Sequence, residues 1–116
     1  MREFINIAVD AMGGDGSPNK VIEGIIHNNK SNKENYFKIF GKQSEIEKII
    51  DNRLENRFYK IINTEAKVES TDSPLEAAKR GKNTSMWLAI QSVKDKEADI
   101  VISAGNTGAL LVIAKL

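Results

Sequence analysis

The sequence predicts an α/β fold, a three-layer α/β/α sandwich with helices on both sides of a mainly parallel sheet. Three observations carry this reading. Strand-like and helix-like stretches alternate along the 116 residues, two of the strands run into glycine-bearing loops that open helices, and the helical stretches place apolar residues on one face. Strand, helix, strand, helix, strand in that order is the pattern of parallel strands joined by right-handed crossovers.

The elements follow from the residues in turn. Ile5-Asn6-Ile7-Ala8-Val9 alternates β-branched residues and reads as a buried strand within residues 4–10. Asp10-Ala11-Met12-Gly13-Gly14-Asp15-Gly16-Ser17-Pro18 follows, with Ser17 expected as the N-cap of a helix and Pro18 at its first position. Val21, Ile22, Ile25 and Ile26 recur at helical spacing, so residues 18 to about 29 form an amphipathic helix. His27 lies on it, and with no second histidine in the chain it reads as a surface or half-buried residue rather than a ligand or base. A polar connection leads to the second strand, Tyr36-Phe37-Lys38-Ile39-Phe40, closed by Gly41. Ser44 through Ile50 is the second helix, with Glu45 and Glu47 near its positive end, and Phe58-Tyr59-Lys60-Ile61-Ile62 is the third strand. Thr64 to Asp72 is a polar loop.

Ser73-Pro74-Leu75-Glu76 has the form of a capping box that opens a short helix and carries Lys79 and Arg80 toward Gly81. Asn83 or Thr84 starts the next helix, packed through Met86, Leu88, Ala89, Ile90 and Val93, with Trp87 at a boundary. Ala98 to Ser103 reads as the clearest buried strand. It runs into Ala104-Gly105-Asn106-Thr107-Gly108, after which Ala109 to Ala114 continues as an almost wholly apolar helix that must be covered on every side. The chain is therefore expected to be a fragment, or to need a partner, with its Rossmann-like sheet incomplete.

Composition narrows the function classes. A net charge of +1, with lysines scattered among glutamates, gives no nucleic-acid footprint. The absence of cysteine excludes disulfides, thiolate metal sites and a cysteine nucleophile. No apolar run approaches the length of a membrane span and no signal region precedes the first strand, so a cytoplasmic address is expected.

Two glycine-bearing loops at strand ends suggest an anion site between them, because backbone amides and helix N-termini converge there. Asp and Gly are also ordinary turn residues, and turn chemistry alone explains the same letters. Neither loop is a Walker loop or a dinucleotide fingerprint, which weakens ATPase and dehydrogenase readings. Lys82, with Lys79 and Arg80 near it, either adds positive charge or forms a solvated basic turn. Thr84 and Ser85 either bind phosphate oxygens or cap a helix. Asp10 and Asp15 would repel a bare phosphate, so they are expected to orient donors or hold a lysine.

Asp10-Ala11-Met12-Gly13-Gly14-Asp15 with Pro18, Lys82-Asn83-Thr84-Ser85-Met86, and Val101-Ile102-Ser103-Ala104-Gly105-Asn106-Thr107-Gly108-Ala109-Leu110 together resemble the phosphate acyltransferase (PlsX) family of bacterial phospholipid synthesis. The resemblance spans the chain and corresponds to the N-terminal portion of a longer single acyltransferase domain. Gly16 departs from the family pattern, in which a larger residue such as His is common.

The resemblance implies a reaction: a fatty acyl group passes from the thioester of acyl carrier protein to inorganic phosphate, giving acyl phosphate. It implies no cofactor and no metal, a homodimer at full length, and peripheral membrane association at the inner face. Phosphate is already a nucleophile at neutral pH, so the protein must position it and stabilise the oxyanion. Asn106, Thr107 and Lys82 are the expected catalytic residues; Asp10, Gly13, Gly14, Asp15, Thr84, Ser85, Gly105 and Gly108 are the expected phosphate-binding set. A phosphometabolite-binding module without catalysis would show the same loops and stays open as the alternative.

Overall fold

Ile7 and Val9 project to one side of the first strand and Ala8 and Asp10 to the other, and this alternation sets the layers of the molecule. The computed structural model describes residues 4–65, 73, 84–105, 110 and 113–114. Strand β1 (Ile5–Asp10) is central. It pairs in parallel with β2 (Asn35–Gly41) on one edge and with β4 (Ile100–Ser103) on the other, while β3 (Tyr59–Asn63) pairs in parallel with β2. The strand order is β3-β2-β1-β4. The α/β class and the parallel sheet expected from the sequence are both present. This order reverses direction between β1 and β4, and in open α/β sheets the crevice beyond the strand ends at such a reversal is where ligands bind.

Helices α1 (Asn19–Ser31) and α2 (Gln43–Ile50) cover one face of the sheet. Ile22, Ile25 and Ile26 of α1 and Ile46 and Ile50 of α2 pack against Ile7, Val9, Phe37 and Ile39. Burial of each such side chain is worth about 1.5–3 kcal/mol relative to exposure, and among the described residues this face holds the largest apolar cluster. Helix α3 (Ser85–Lys94) lies on the opposite face, where Ala89 meets Ala8 and Phe40. Ala8 and Ala89 are both fully buried, and small residues on the two elements let the helix lie close to the sheet. Met86 and Ile90 of α3 also pack with Ile113, flanked by Trp87, Val101 and Leu110.

Several boundaries and roles differ from the sequence expectations. Helix α1 starts at Asn19 with Pro18 in the cap position and no side-chain cap. Ser17 does not cap it; its hydroxyl turns back to donate to the Gly13 carbonyl and ties the loop to itself. Strand β4 begins at Ile100, and it is not buried on both faces: Ile100 and Ile102 are each 47% exposed. The reason is positional. β4 is an edge strand whose Val101 and Ser103 face α3, whereas its Ile100 and Ile102 face the α1 side. Thr84 is the N-cap of α3, its hydroxyl accepting from the Trp87 amide at 3.1 Å, which settles where that helix starts.

Trp87 is half-buried at the edge of the α3 cluster and His27 is exposed, as expected. Of the final apolar stretch, Ile113 is buried and Leu110 partly buried against α3, while Ala114 is exposed. The expected helix after Ser73, with Lys79 and Arg80, lies outside the described residues. No helix among them is long and apolar enough to cross a membrane.

Candidate active site

Asp10 is the last residue of β1 and pairs in register with Ser103, the last residue of β4. Its side chain points to the α3 face and is 1% exposed. The Ser85 hydroxyl, in the first turn of α3, donates to Oδ1 at 2.5 Å. The Ser103 hydroxyl donates to Oδ2 at 2.8 Å, and the Met12 amide donates to Oδ1 at 3.2 Å. Ser103 Oγ in turn accepts from the Gly105 amide at 3.2 Å. A buried carboxylate costs several kcal/mol to desolvate, and each hydrogen bond to a charged group returns about 1.5–3 kcal/mol. Three donors are therefore the least that holds it comfortably. Among the described residues all its partners are neutral.

Asp10 thus fastens three segments, the loop after β1, the loop after β4 and the start of α3. The two loops touch through backbone. A Cβ placed on Gly13 would stand 2.7 Å from Asp10 Oδ2 and 2.9 Å from Gly105 Cα, and one on Gly14 would stand 2.6 Å from the Ala104 carbonyl oxygen. Side chains at either position would push the loops apart. Among the described residues the amides of Gly13 and Gly14 donate to no acceptor, although Gly13 is a buried residue. Gly13 is buried and Gly14 half-buried, and both lie beyond the strand ends where the strand order reverses.

The structure brings together Asp10, Gly13, Gly14, Ser85 and Gly105 of the sequence-derived set. Ser85 is fully buried and spends its hydroxyl on Asp10, Thr84 caps α3, and the Gly105 amide is spent on Ser103. Asp15 is exposed and stands apart from the Asp10 cluster. Lys82, Asn106, Thr107 and Gly108 lie outside the described residues. Sequence reasoning does not single out Ser103. A serine closing a strand beside an Asp that closes the neighbouring strand is a recognisable signal only once the register is known.

Comparison with known proteins places the chain in a family. A family model described as "Fatty acid synthesis protein" matches residues 5–116. The chain is 63% identical over 116 residues, its whole length, to a "Phosphate acyltransferase" of Pelagibacter ubique, of which it covers 34%. It is 45% identical over 107 residues to a protein of the same name from Enterococcus faecalis, covering 92% of this chain and 31% of the relative. The corresponding protein of Pediococcus pentosaceus is 43% identical over 107 residues, covering 92% and 30%. The chain spans about a third of the length of the curated relatives it matches. By its match over residues 5–116, this chain belongs to the fatty acid synthesis protein family.

Proposed function

We propose that the chain supplies the phosphate-holding part of an acyltransferase that moves a fatty acyl group from the thioester of acyl carrier protein to inorganic phosphate. The observation that carries this reading is the pair of amides of Gly13 and Gly14, which donate to no acceptor among the described residues, in a loop packed against Gly105 beside the buried Asp10. A phosphate oxygen attacks the thioester carbonyl carbon, a tetrahedral oxyanion forms, and its collapse breaks the carbon–sulfur bond. The products are acyl phosphate and the carrier thiolate. No protein nucleophile is needed, and the residues of the site bind and orient.

In this reading Gly13 and Gly14 donate to the tetrahedral anion, and Asp10 is a positioning residue that holds the two loops and the start of α3 in register. Asn106 and Thr107, which directly follow the Gly105 loop in sequence, are proposed donors to the developing oxyanion, with Lys82 as added positive charge. The names of the relatives support an acyltransferase of fatty acid and phospholipid synthesis. Homodimerisation, contact with acyl carrier protein and peripheral membrane association belong to this proposal for the complete protein.

The test is to incubate the complete protein with acyl carrier protein thioester and phosphate and to measure both free carrier thiol and acyl phosphate. Both are expected to appear together. Asn106→Ala is expected to lower turnover about a hundredfold, the usual scale for loss of one oxyanion donor. Absence of both products with the wild-type protein removes the reading; phosphate binding without turnover favours a non-catalytic phosphometabolite module.

A further inference from the structure

The first turn of a helix is an unfavourable place for a cation, since the amide dipoles there already present positive charge. Lys20 occupies that turn of α1, which contains no acidic residue to offset it. Among the described residues its ammonium has no ion-pair or hydrogen-bond partner. The stem is nevertheless placed with care. A Cβ on Gly16 would stand 2.9 Å from both Cδ and Cε of Lys20 and 3.2 Å from its Cγ, so the stem lies directly across the glycine. Gly16 has φ +77°, a left-handed conformation that a side chain would strain, and its carbonyl accepts the Lys20 amide at 3.0 Å. The same glycine makes the turn and leaves the room that the lysine stem fills.

Lys20 also lines a cleft of about 290 Å³ between α1 and β4, together with Val9, Asp10, Ile102 and Ala104. The cleft runs along the α1 side of the sheet, and these four residues mark its end at the C-termini of β1 and β4. A cation with no partner among the described residues is thus carried across Gly16 of the loop after β1. The nearby carboxylates do not account for it: Asp10 is taken up by three neutral donors, and exposed Asp15 makes no ion pair with it.

We infer that Lys20 is a substrate-binding residue that draws inorganic phosphate to the amides of Gly13 and Gly14, setting affinity for the anion rather than the rate of the chemical step. This rests on the proposed reaction for the identity of the anion. A lysine suits the role because its ammonium is a compact point charge on a flexible stem, able to follow a tetrahedral anion without a fixed planar match.

The experiment uses the complete protein as wild type, Lys20→Gln, Lys20→Arg and Gly16→Ala. Inorganic phosphate is titrated by calorimetry, with chloride at equal ionic strength as the control, and KM for phosphate and kcat are measured from acyl phosphate formation. Lys20→Gln is expected to weaken phosphate binding and raise KM about tenfold or more, the scale of a hydrogen bond to a charged group, with kcat changed less than about threefold. Lys20→Arg is expected to restore most of the affinity, and Gly16→Ala to resemble Lys20→Gln by displacing the stem. Circular dichroism checks that each variant is folded. A folded Lys20→Gln that binds phosphate as wild type overturns the inference, and so does wild-type protein that binds no phosphate. If Lys20 governs phosphate binding but no acyl phosphate forms, the reaction is wrong and the anion site stands. If acyl phosphate forms with KM indifferent to Lys20, the reaction stands and the lysine's role falls.

Discussion

Ser85 Oγ donates to Asp10 Oδ1 at 2.5 Å, joining residues 75 positions apart in sequence. The bond fastens the first turn of α3 to the end of β1, and the other oxygen of Asp10 carries the link to Ser103 of β4. One buried carboxylate therefore links the ends of the two strands whose loops border the candidate site.

Removing a partner from this cluster should be costly because the carboxylate stays buried. Ser85→Ala is expected to destabilise the protein by about 1.5–3 kcal/mol, the range for a hydrogen bond to a charged group. Asp10→Asn should cost at least as much, since an NH2 would replace one of the two carboxylate oxygens that accept from the Ser85 and Ser103 hydroxyls and leave that hydroxyl without its acceptor. Urea unfolding at neutral pH measures both. A midpoint equal to wild type for Ser85→Ala would show that the cluster does not hold the fold.

The glycines of the chain should separate into two kinds on substitution by alanine. At Gly13 the new Cβ meets Asp10 and Gly105 below van der Waals distance, and the expected cost is about 1–3 kcal/mol, with loss of acyl phosphate formation in the complete protein. At Gly24, inside α1, it meets nothing within 4 Å, and the change should instead stabilise by about 0.5–1 kcal/mol. Thermal unfolding of the two variants side by side decides; the same sign for both contradicts the close approach of the loops.

The Arg53 guanidinium donates to both carboxylate oxygens of Glu23, at 2.8 and 3.0 Å, and this bond holds the Glu23 carboxyl below the usual carboxylate range and raises Arg53. A carboxyl lowered in the folded state contributes stability that is present above its unfolded pKa and is lost as pH falls through the folded value. The difference in stability between wild type and Arg53→Ala should therefore shrink on acidification. It should be small at every pH, because both groups are exposed. A difference that grows as pH falls through the carboxylate range would contradict the assignment.

Ile100 and Ile102 leave an apolar strip beside α1 on the edge strand. Leaving such side chains in water forgoes about 1.5–3 kcal/mol each, a sizeable part of what holds a domain together. Residues 1–116 expressed alone are expected to self-associate with rising concentration, and Ile102→Lys to reduce this. Sedimentation velocity over a concentration series reads it directly. A monodisperse wild-type monomer at high concentration would mean that this strip drives no association.

The resemblance to an acyltransferase family is carried by contiguous residues, Asp10 to Asp15 and Val101 to Leu110, and is legible in the amino-acid sequence alone. The wiring of the site is not. Ser103 gives no signal by itself and Ser85 has two open roles, because a hydroxyl's partner depends on which strand lies beside which, and 93 residues separate Ser103 from Asp10. Lys20 is not singled out by the sequence either, because its stem meets Gly16 only through the turn that the fold makes there.

Periodicity is local, and local patterns are enough to place β1, β2, β3, α1, α2 and α3 to within a residue or two and to give a parallel α/β sheet, since alternation of strand and helix leaves few other ways to bury both faces. Pairing is not local. That β4 lies next to β1, at an edge, decides that Ile100 and Ile102 stand half open where a continuous apolar run suggests burial on both sides. It also decides that Asp10 and Ser103 meet. Both outcomes depend on which chain segments share a boundary in space, and no spacing within a single segment contains that information.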